Sequence, residues 1–351
     1  MIAKQKAACL AALLLMAGAA RADQQGFYRL EHSYPVAGAS PGWDYLAFDA
    51  ARSHLFIGRR RDGVTVFDTA AGKVVGTIEN AKDANATALI PEFDRGYTGN
   101  DDGSTTIFQL STLKTIGRVK FGADADAGFY EPATKQVVFT MGDSKAFAFL
   151  DAKTGKSLGQ LPTVSSKLEA TVADGEGNLF TAERDRNAVL KIDAKARKIA
   201  AEWKAEGCEQ PTGIAYDAKD KRLFLGCRGK APVLAVMDAE SGKVITSLEI
   251  GRGNDGVVYD AETRKLFTSN GVDGNLVIYD QLDADTYKLS QAVTTRPSAR
   301  TMAIDPQSKK IYLVTGEGVA DPAKPINKSV SPFYPNRYYD DSLTVLVYSR
   351  Q

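Results

Sequence analysis

The sequence predicts an all-β, seven-bladed β-propeller with four-stranded antiparallel blades, and two observations support this fold class. A unit of roughly 40 residues recurs seven times between residues 45 and 349. Each unit holds short apolar runs separated by turns rich in Asp, Lys and Gly, with little helical periodicity. A period of this size with four strands per unit is typical of propeller blades.

The seven units share one order of parts. They begin at residues 45, 88, 128, 170, 213, 256 and 301. A first apolar strand such as GVVYD precedes a polar turn, a second strand such as RLFLG, and a third that ends in Asp, such as LVIYD. A turn such as ESGK then leads to a weaker fourth strand.

The chain begins with features of a secretory signal peptide over residues 1–22. Lys4 and Lys6 precede the apolar run ACLAALLLMAGAA, and Ala20-Arg21-Ala22 is a small-residue cleavage site. The run is too short to be a typical transmembrane helix. We therefore expect export to a bacterial periplasm, no membrane anchor after cleavage, and a single propeller domain over residues 23–351.

Residues 27–36, FYRLEHSYPV, alternate apolar and polar side chains as a strand does. The seventh unit supplies only three clear strands of its own. We therefore predict that this N-terminal segment is the outer strand of the last blade. A ring closed in this way leaves no open sheet edge between its first and last blades.

The units resemble the YVTN-repeat, YncE-like β-propellers of bacteria. The likeness lies in PTGIAYD, DGVVYD, LFTSNG and ARTMAID and in the SGK-type turns, and it extends over the whole mature chain. The resemblance implies a propeller fold and an exported bacterial protein. It assigns no activity, because propellers of this architecture include both binding proteins and enzymes.

Two cysteines, Cys208 and Cys227, remain after the predicted cleavage. Cys208 precedes the first strand of the fifth unit and Cys227 ends its second strand, so folding of this hairpin sets the two side by side. In an oxidising compartment we expect a disulfide. The only histidines, His32 and His54, are distant from both cysteines in sequence, which argues against a His-containing metal site.

Acidic residues recur where the chain enters the first strands, which line the central channel of a propeller. The aligned positions are Asp44, Ala86, Asp126, Glu169, Thr212, Asp255 and Arg300, and Asn85 and Asn254 precede two of them. Asp44, Asp126, Glu169 and Asp255 supply the hard oxygen ligands that calcium prefers. The same polar ring fits a cationic or polyhydroxylated ligand, or a solvated ring with a purely structural role.

Residues 316–341 interrupt the last unit between its second and third strands. The segment contains four prolines and several aromatic residues, among them Tyr334. Insertions of this length in compact folds are usually functional or disordered. Two interpretations stay open. In one, the segment is a lid over the channel and Tyr334 contacts a ligand; in the other, it is a disordered surface loop without a function.

The sequence supports two functional hypotheses. The first is a periplasmic binding or scaffold protein, a monomer, that engages a small molecule, glycan or protein at the channel mouth. The second is a metal-dependent lactonase of the gluconolactonase type that uses the channel-mouth carboxylates. Glu183 and Arg300 are the candidates for an acid/base and electrophile pair. The balanced formal charge of +1 argues against a nucleic-acid partner. No nucleophile elbow, P-loop or dinucleotide fingerprint is present.

Overall fold

A computed structural model describes residues 26–40, 42–325 and 334–351. The predicted signal peptide, residues 1–22, lies outside the described residues. The described chain folds into seven four-stranded antiparallel sheets, as the sequence predicts. Its helical content is one 3₁₀ turn, Pro91–Phe93.

Six blades are formed by strands that follow one another along the chain. The first two are β2 (Leu46–Asp49), β3 (His54–Gly58), β4 (Val64–Asp68) and β5 (Lys73–Ile78), then β6 (Ala84–Ile90), β7 (Arg95–Asn100), β8 (Ser104–Gln109) and β9 (Thr115–Lys120). The next two are β10 (Gly128–Glu131), β11 (Gln136–Met141), β12 (Ala146–Asp151) and β13 (Ser157–Pro162), then β14 (Leu168–Ala173), β15 (Asn178–Glu183), β16 (Ala188–Asp193) and β17 (Lys198–Lys204). The fifth and sixth are β18 (Pro211–Asp217), β19 (Arg222–Cys227), β20 (Val233–Asp238) and β21 (Val244–Glu249), then β22 (Asn254–Asp260), β23 (Lys265–Asn270), β24 (Asn275–Gln281) and β25 (Tyr287–Thr294).

The last blade joins the two ends of the chain. Its strands are β26 (Met302–Ile304), β27 (Ile311–Thr315), β30 (Leu343–Arg350) and, on the outside, β1 (Tyr28–Val36). The pairing of β1 with β30 runs from Tyr28 opposite Arg350 to Val36 opposite Leu343. The prediction that residues 27–36 complete the last blade is confirmed.

The insertion between β27 and β30 starts and ends as a short ladder. Its strands are β28 (Gly318–Val319) and β29 (Arg337–Tyr338). The tip of the insertion, residues 326–333, lies outside the described residues. The interruption of the last blade at this place is as the sequence predicts.

The hydrophobic core is divided among the seven interfaces between neighbouring blades. Each interface holds one cluster of buried side chains, such as Phe56 of the first blade with Phe108 of the second. Strand alternation produces this arrangement, because the residues of the middle strands face both neighbouring blades and are apolar on both sides. The outer strands are half-exposed and alternate, as in β9 and β21. Packing between blades therefore fixes the loops that surround the channel.

Over residues 26–40, 42–325 and 334–351, no helix has the length and apolar character needed to cross a membrane.

Candidate functional site at the channel mouth

Strand register identifies one equivalent residue per blade where the chain enters the first strand. We call these seven the mouth ring: Asp44, Asn85, Asp126, Glu169, Thr212, Asp255 and Arg300. In the second blade the structure corrects the sequence alignment by one residue. Ala86 pairs with Gly99 and is buried, so the polar member is Asn85.

A second set of residues surrounds the same end of the channel. It consists of the residues that follow the second strands by register, which we call the flanking ring: Arg60, Asp101, Gly142, Arg184, Arg228, Gly271 and Gly316. Sequence reasoning missed its three arginines and selected Glu183, the residue directly before Arg184. Successive side chains of a strand point to opposite faces of the sheet, so an alignment error of one residue selects a side chain on the wrong face.

The two rings enclose a cavity of about 600 Å³ at the channel mouth. Six of the sequence-predicted residues line it: Asp44, Asn85, Asp126, Glu169, Asp255 and Arg300. The missed residues Tyr45, Arg60, Asp101, Lys167, Arg184 and Arg228 line it as well. The structure thus gathers most of the predicted ligand-binding residues into one polar concavity.

Three predicted ligand-binding residues do not line this cavity, and two of them, Thr212 and Asn254, are buried. Thr212 is 1% exposed, and its hydroxyl donates to the Gln210 carbonyl at 3.1 Å. Asn254 is fully buried, and its Nδ2 donates to the carbonyls of Gly256 and Ser269. Both side chains bond backbone groups of their own blade.

Tyr334 and the base of the insertion lie beside the mouth without lining it. The Tyr338 ring packs edge-on against Trp43 at 5.3 Å between centroids, and its hydroxyl lies 2.5 Å from Ser298 Oγ. Tyr334 interacts electrostatically with both Arg300 and Tyr338, so its side chain lies near them. The ladder of the insertion is therefore fixed next to the channel through Trp43.

The two candidate catalytic residues are not brought together. Arg300 lines the mouth, whereas Glu183 is fully buried and is absent from the cavity lining. Neither carboxylate oxygen of Glu183 has a hydrogen-bond partner among the described residues, and the nearest cation is Arg186 at 3.9 Å. Burial, together with the charge of Glu202, raises the pKa of Glu183 to about 7. The structure gives this pair no shared catalytic geometry.

Two carboxylates of the mouth ring are paired with arginines of the same blade. Arg60 Nη2 donates to Asp44 Oδ2 at 2.5 Å, and Arg184 Nη1 lies 2.9 Å from Glu169 Oε1. Burial nevertheless raises the pKa of Asp44 above its usual value, against the effect of Arg300 and Arg60. Burial likewise raises the pKa of Glu169 to about 7, against the effect of Arg184. The arginines thus hold these two carboxylates in place, but they do not offset the whole effect of burial on the carboxylate pKa values.

Asp255 is fixed from both sides. Arg228 of the fifth blade donates to its Oδ1 at 3.2 Å, and Arg300 Nε of the seventh lies 2.8 Å from its Oδ2. Burial would lower the pKa of Arg300, but Asp255 and Asp44 together raise it. The following Gly256 serves packing, because a Cβ there would lie 2.7 Å from Ser269 Oγ. The carboxylate thus ties three blades together.

Asp126 lacks such a partner. Within the described part of the chain, no ion pair or hydrogen bond engages its carboxylate, although it is half-buried. Burial and the like charges of Asp44 and Glu169 raise the pKa of Asp126 to about 8. It is the acid of the ring that remains open to a ligand.

Tyr45 closes the channel below the ring. At its position the other blades carry Ala86, Ala127, Ala170, Gly213, Gly256 and Thr301. Tyr45 lines both the mouth cavity and a deeper cavity of about 110 Å³ walled mainly by small residues. Burial, and then the surrounding carboxylates, raise the pKa of Tyr45 well above its usual value. The phenol therefore remains protonated as the floor of the site.

The mouth cavity continues outward as a groove across the fourth and fifth blades. Lys167 and Arg184 line both the mouth and an adjoining hollow of about 340 Å³. Asn187 and Glu209 connect that hollow to a third, of about 450 Å³, beside Cys208. Each hollow shares lining residues with the next, so the three lie side by side on this face of the propeller.

The predicted disulfide lies beside the third hollow, which Cys208 lines. Cys208 and Cys227 are bonded, with their Cα atoms 5.3 Å apart, and both are buried. Arg228, which pairs with Asp255, directly follows Cys227. The prediction of the bond is confirmed.

The predicted calcium ligands do not fit a shared ion. In the described ranges, no three Asp, Glu, His or Cys side chains are gathered closely enough to hold one metal. Calcium needs six to eight oxygen ligands at about 2.3–2.6 Å, whereas three of the four carboxylates face arginines. Calcium binding and the lactonase hypothesis stay predictions without geometric support, and we derive no catalytic step.

Comparisons with known proteins place the fold. No protein-family model and no curated protein matches the sequence. A chain of the hydrazine synthase of Kuenenia stuttgartiensis is similar at 15% identity and TM-score 0.69, over 80% of this chain and 94% of that one. The RRP9 WD40 repeats are similar at 9% identity and TM-score 0.73, over 90% and 97%. A chain of the Mitotic Checkpoint Complex is similar at 13% identity and TM-score 0.71, over 90% and 95%.

The chain has the fold of WD40 β-propellers. At sequence identities this low, the similarity supports a shared fold and no shared function. What happens at the channel mouth must be argued from its own residues.

Proposed function

We propose that this protein is an exported bacterial β-propeller of the YVTN-repeat, YncE-like kind that binds a ligand or partner at its channel mouth. The observation that carries the binding role is the polar cavity of about 600 Å³ enclosed by the mouth and flanking rings. Its side chains are held by ion pairs within and between blades, so the site is formed before a ligand arrives. Pre-formed concave sites with convergent polar groups are typical of ligand pockets.

Two features support export to the periplasm. The signal-like segment over residues 1–22 predicts secretion. The Cys208–Cys227 bond suits an oxidising compartment, since structural disulfides are rare where thiols are kept reduced. A propeller among the structural neighbours belongs to a multiprotein complex, the Mitotic Checkpoint Complex, so a protein partner also belongs to this proposal.

A fluorescent reporter tests the binding role. Asp143 is exposed at the cavity edge and Glu176 is exposed in the β14–β15 turn at the opposite end of its blade. Cys9→Ser/Asp143→Cys and Cys9→Ser/Glu176→Cys each provide one free thiol for an environment-sensitive dye, because Cys208 and Cys227 are bonded. Both are titrated with polar small molecules, oligosaccharides and fractionated periplasmic extract.

A saturable signal from position 143, with none from position 176, supports binding at the mouth. A dye at position 143 that never responds, or equal responses at both ends, contradicts it. Hydrolysis of a lactone panel after addition of calcium to the unlabelled protein would instead favour the lactonase hypothesis.

A further inference from the structure

The four carboxylates of the mouth ring differ in how they are neutralised. Asp44, Glu169 and Asp255 each lie within 3.2 Å of an arginine nitrogen. Asp126 has no cationic neighbour at ion-pair distance in the described chain. A carboxylate facing a cavity without a counter-charge is a place where added positive charge is favourable.

The formal charge of the whole cavity lining is negative. Its lining contains seven Asp and Glu residues but only five Lys and Arg residues. Four of the five cations are arginines, and each of these is already paired with a mouth-ring carboxylate. An anion that approached an arginine would have to displace an existing pair and would otherwise find only Lys167, whereas a cation finds a vacant carboxylate at Asp126.

Hydrogen-bond acceptors lie next to Asp126. Asn85 is 2% exposed, and its Oδ1 has no partner among the described residues. The Nδ2 of the same amide donates to the Ala125 carbonyl at 3.3 Å, directly before Asp126. Tyr45 N–H donates to the Asn85 carbonyl at 3.0 Å, and no hydrogen bond of its hydroxyl occurs within the described ranges. An ammonium group carries three N–H donors, which match a carboxylate, an amide oxygen and a phenol.

We propose that the ligand of the channel mouth is an organic cation that places an ammonium group against Asp126, beside Tyr45 and Asn85. The inference rests on the proposed binding role and specifies its ligand class. A metal ion fits less well, because the carboxylates do not gather around one point. An organic cation needs only one carboxylate for its charge, and the groove past Lys167 and Arg184 gives space for the rest of the molecule.

Four probes of equal chain length separate charge from size: 1,5-diaminopentane, 5-amino-1-pentanol, 1,5-pentanediol and glutarate. Binding to the full-length protein is measured by calorimetry at pH 8.5, where the amines are charged and which lies above the raised pKa of Asp126 of about 8. We expect the two amines to bind and the diol and the dianion not to bind. Asp126→Asn, which preserves shape and removes charge, should weaken amine binding about tenfold or more.

Asp143→Asn is the matched control. It removes the same charge from an exposed position at the cavity edge and should change amine affinity less than about twofold. Equal weakening by both variants would mean that the loss of amine affinity reflects net charge alone. That result would overturn the assignment of Asp126 as the partner of the ammonium group. Circular dichroism and melting temperature verify that both variants fold.

Other outcomes separate this inference from the proposed function. If the diol or glutarate binds with a signal from the dye at position 143, and the amines do not, the mouth is a binding site but the cation inference is wrong. Amine binding unaffected by Asp126→Asn also overturns it. If calcium alone binds, the metal prediction replaces it. If no probe binds and the dye responds to nothing, both the inference and the proposed function fail.

Discussion

Arg300 Nε lies 2.8 Å from Asp255 Oδ2, and this contact joins the seventh blade to the sixth at the channel mouth. The same guanidinium lies 5.1 Å from the centre of the Trp43 ring and donates to the Trp43 carbonyl at 2.9 Å. One arginine thus links the mouth ring to the aromatic residue on which the insertion packs. Asp255, an obvious candidate ligand from sequence, has a structural role as well.

Asp255→Ala should lower the free energy of unfolding by about 2 kcal/mol, because it leaves two partly buried arginines without their counter-charge. The matched control is Glu240→Ala, which breaks the exposed pair with Lys221 and should change stability by less than about 0.5 kcal/mol. Urea unfolding of both variants measures the difference. Equal, small effects would show that Asp255 is not structural.

Cys208→Ala/Cys227→Ala should lower the free energy of unfolding by about 3 kcal/mol, because the bond closes a loop of 19 residues in the unfolded chain. Reductant should destabilise the wild type by a similar amount and leave the double variant unchanged. Denaturant titrations with and without reductant measure both effects. A wild type insensitive to reductant throughout unfolding would contradict the expectation.

Arg59→Lys should lower the free energy of unfolding by about 2 kcal/mol, because a lysine cannot replace both guanidinium contacts. Arg59 is 1% exposed and donates to the carbonyls of Ala37 and Ser40, each at 2.7 Å. Hydrogen exchange in residues 36–40 should become faster. Arg61→Lys is the control, since Arg61 is exposed and donates only to the Ala39 carbonyl; similar exchange in both variants would refute the role of Arg59.

Glu183→Gln should flatten the decline of stability between about pH 5 and 8. The raised folded-state pKa of Glu183, about 7, means that its contribution is fully present below its unfolded value and is lost as the pH rises through 7. The variant should therefore melt higher than the wild type at pH 8.5, with a smaller difference at pH 5. Melting temperatures across this range give the two curves, and parallel curves would mean that Glu183 does not titrate here.

The fold could be predicted from sequence because each blade repeats the same local pattern. The strand GVVYD, the turn and the strand KLFTSN form one hairpin in β22 and β23, as their spacing predicts. Closure by residues 27–36 was also predictable, since the last unit lacked one strand. Periodicity is a strong signal when every repeat buries equivalent positions.

The site was only partly predictable, because its content depends on single-residue register. The alignment placed Ala86 at the ring position although Asn85, also predicted as a ligand contact, occupies it, and the choice of Glu183 rather than Arg184 selected a side chain of the core. A recurring basic residue in GRR, ER and CR at the ends of second strands was the available signal for the flanking arginines. Arg60 and Arg184 pair with carboxylates of their own blades, whereas Arg228 pairs with Asp255 of the next blade, a contact that no local pattern specifies.

The pairing of β1 with β30 has a consequence for how the molecule is made. Tyr28 pairs with Arg350, so β1 finds its partner in a strand that is synthesised after the strands of the other six blades. Contacts this distant in sequence form slowly, because a very long loop must close first. Until then the unpaired edge of β30 or β1 is available to other chains. The ring therefore stays open at its last blade until β30 has been synthesised and has paired with β1.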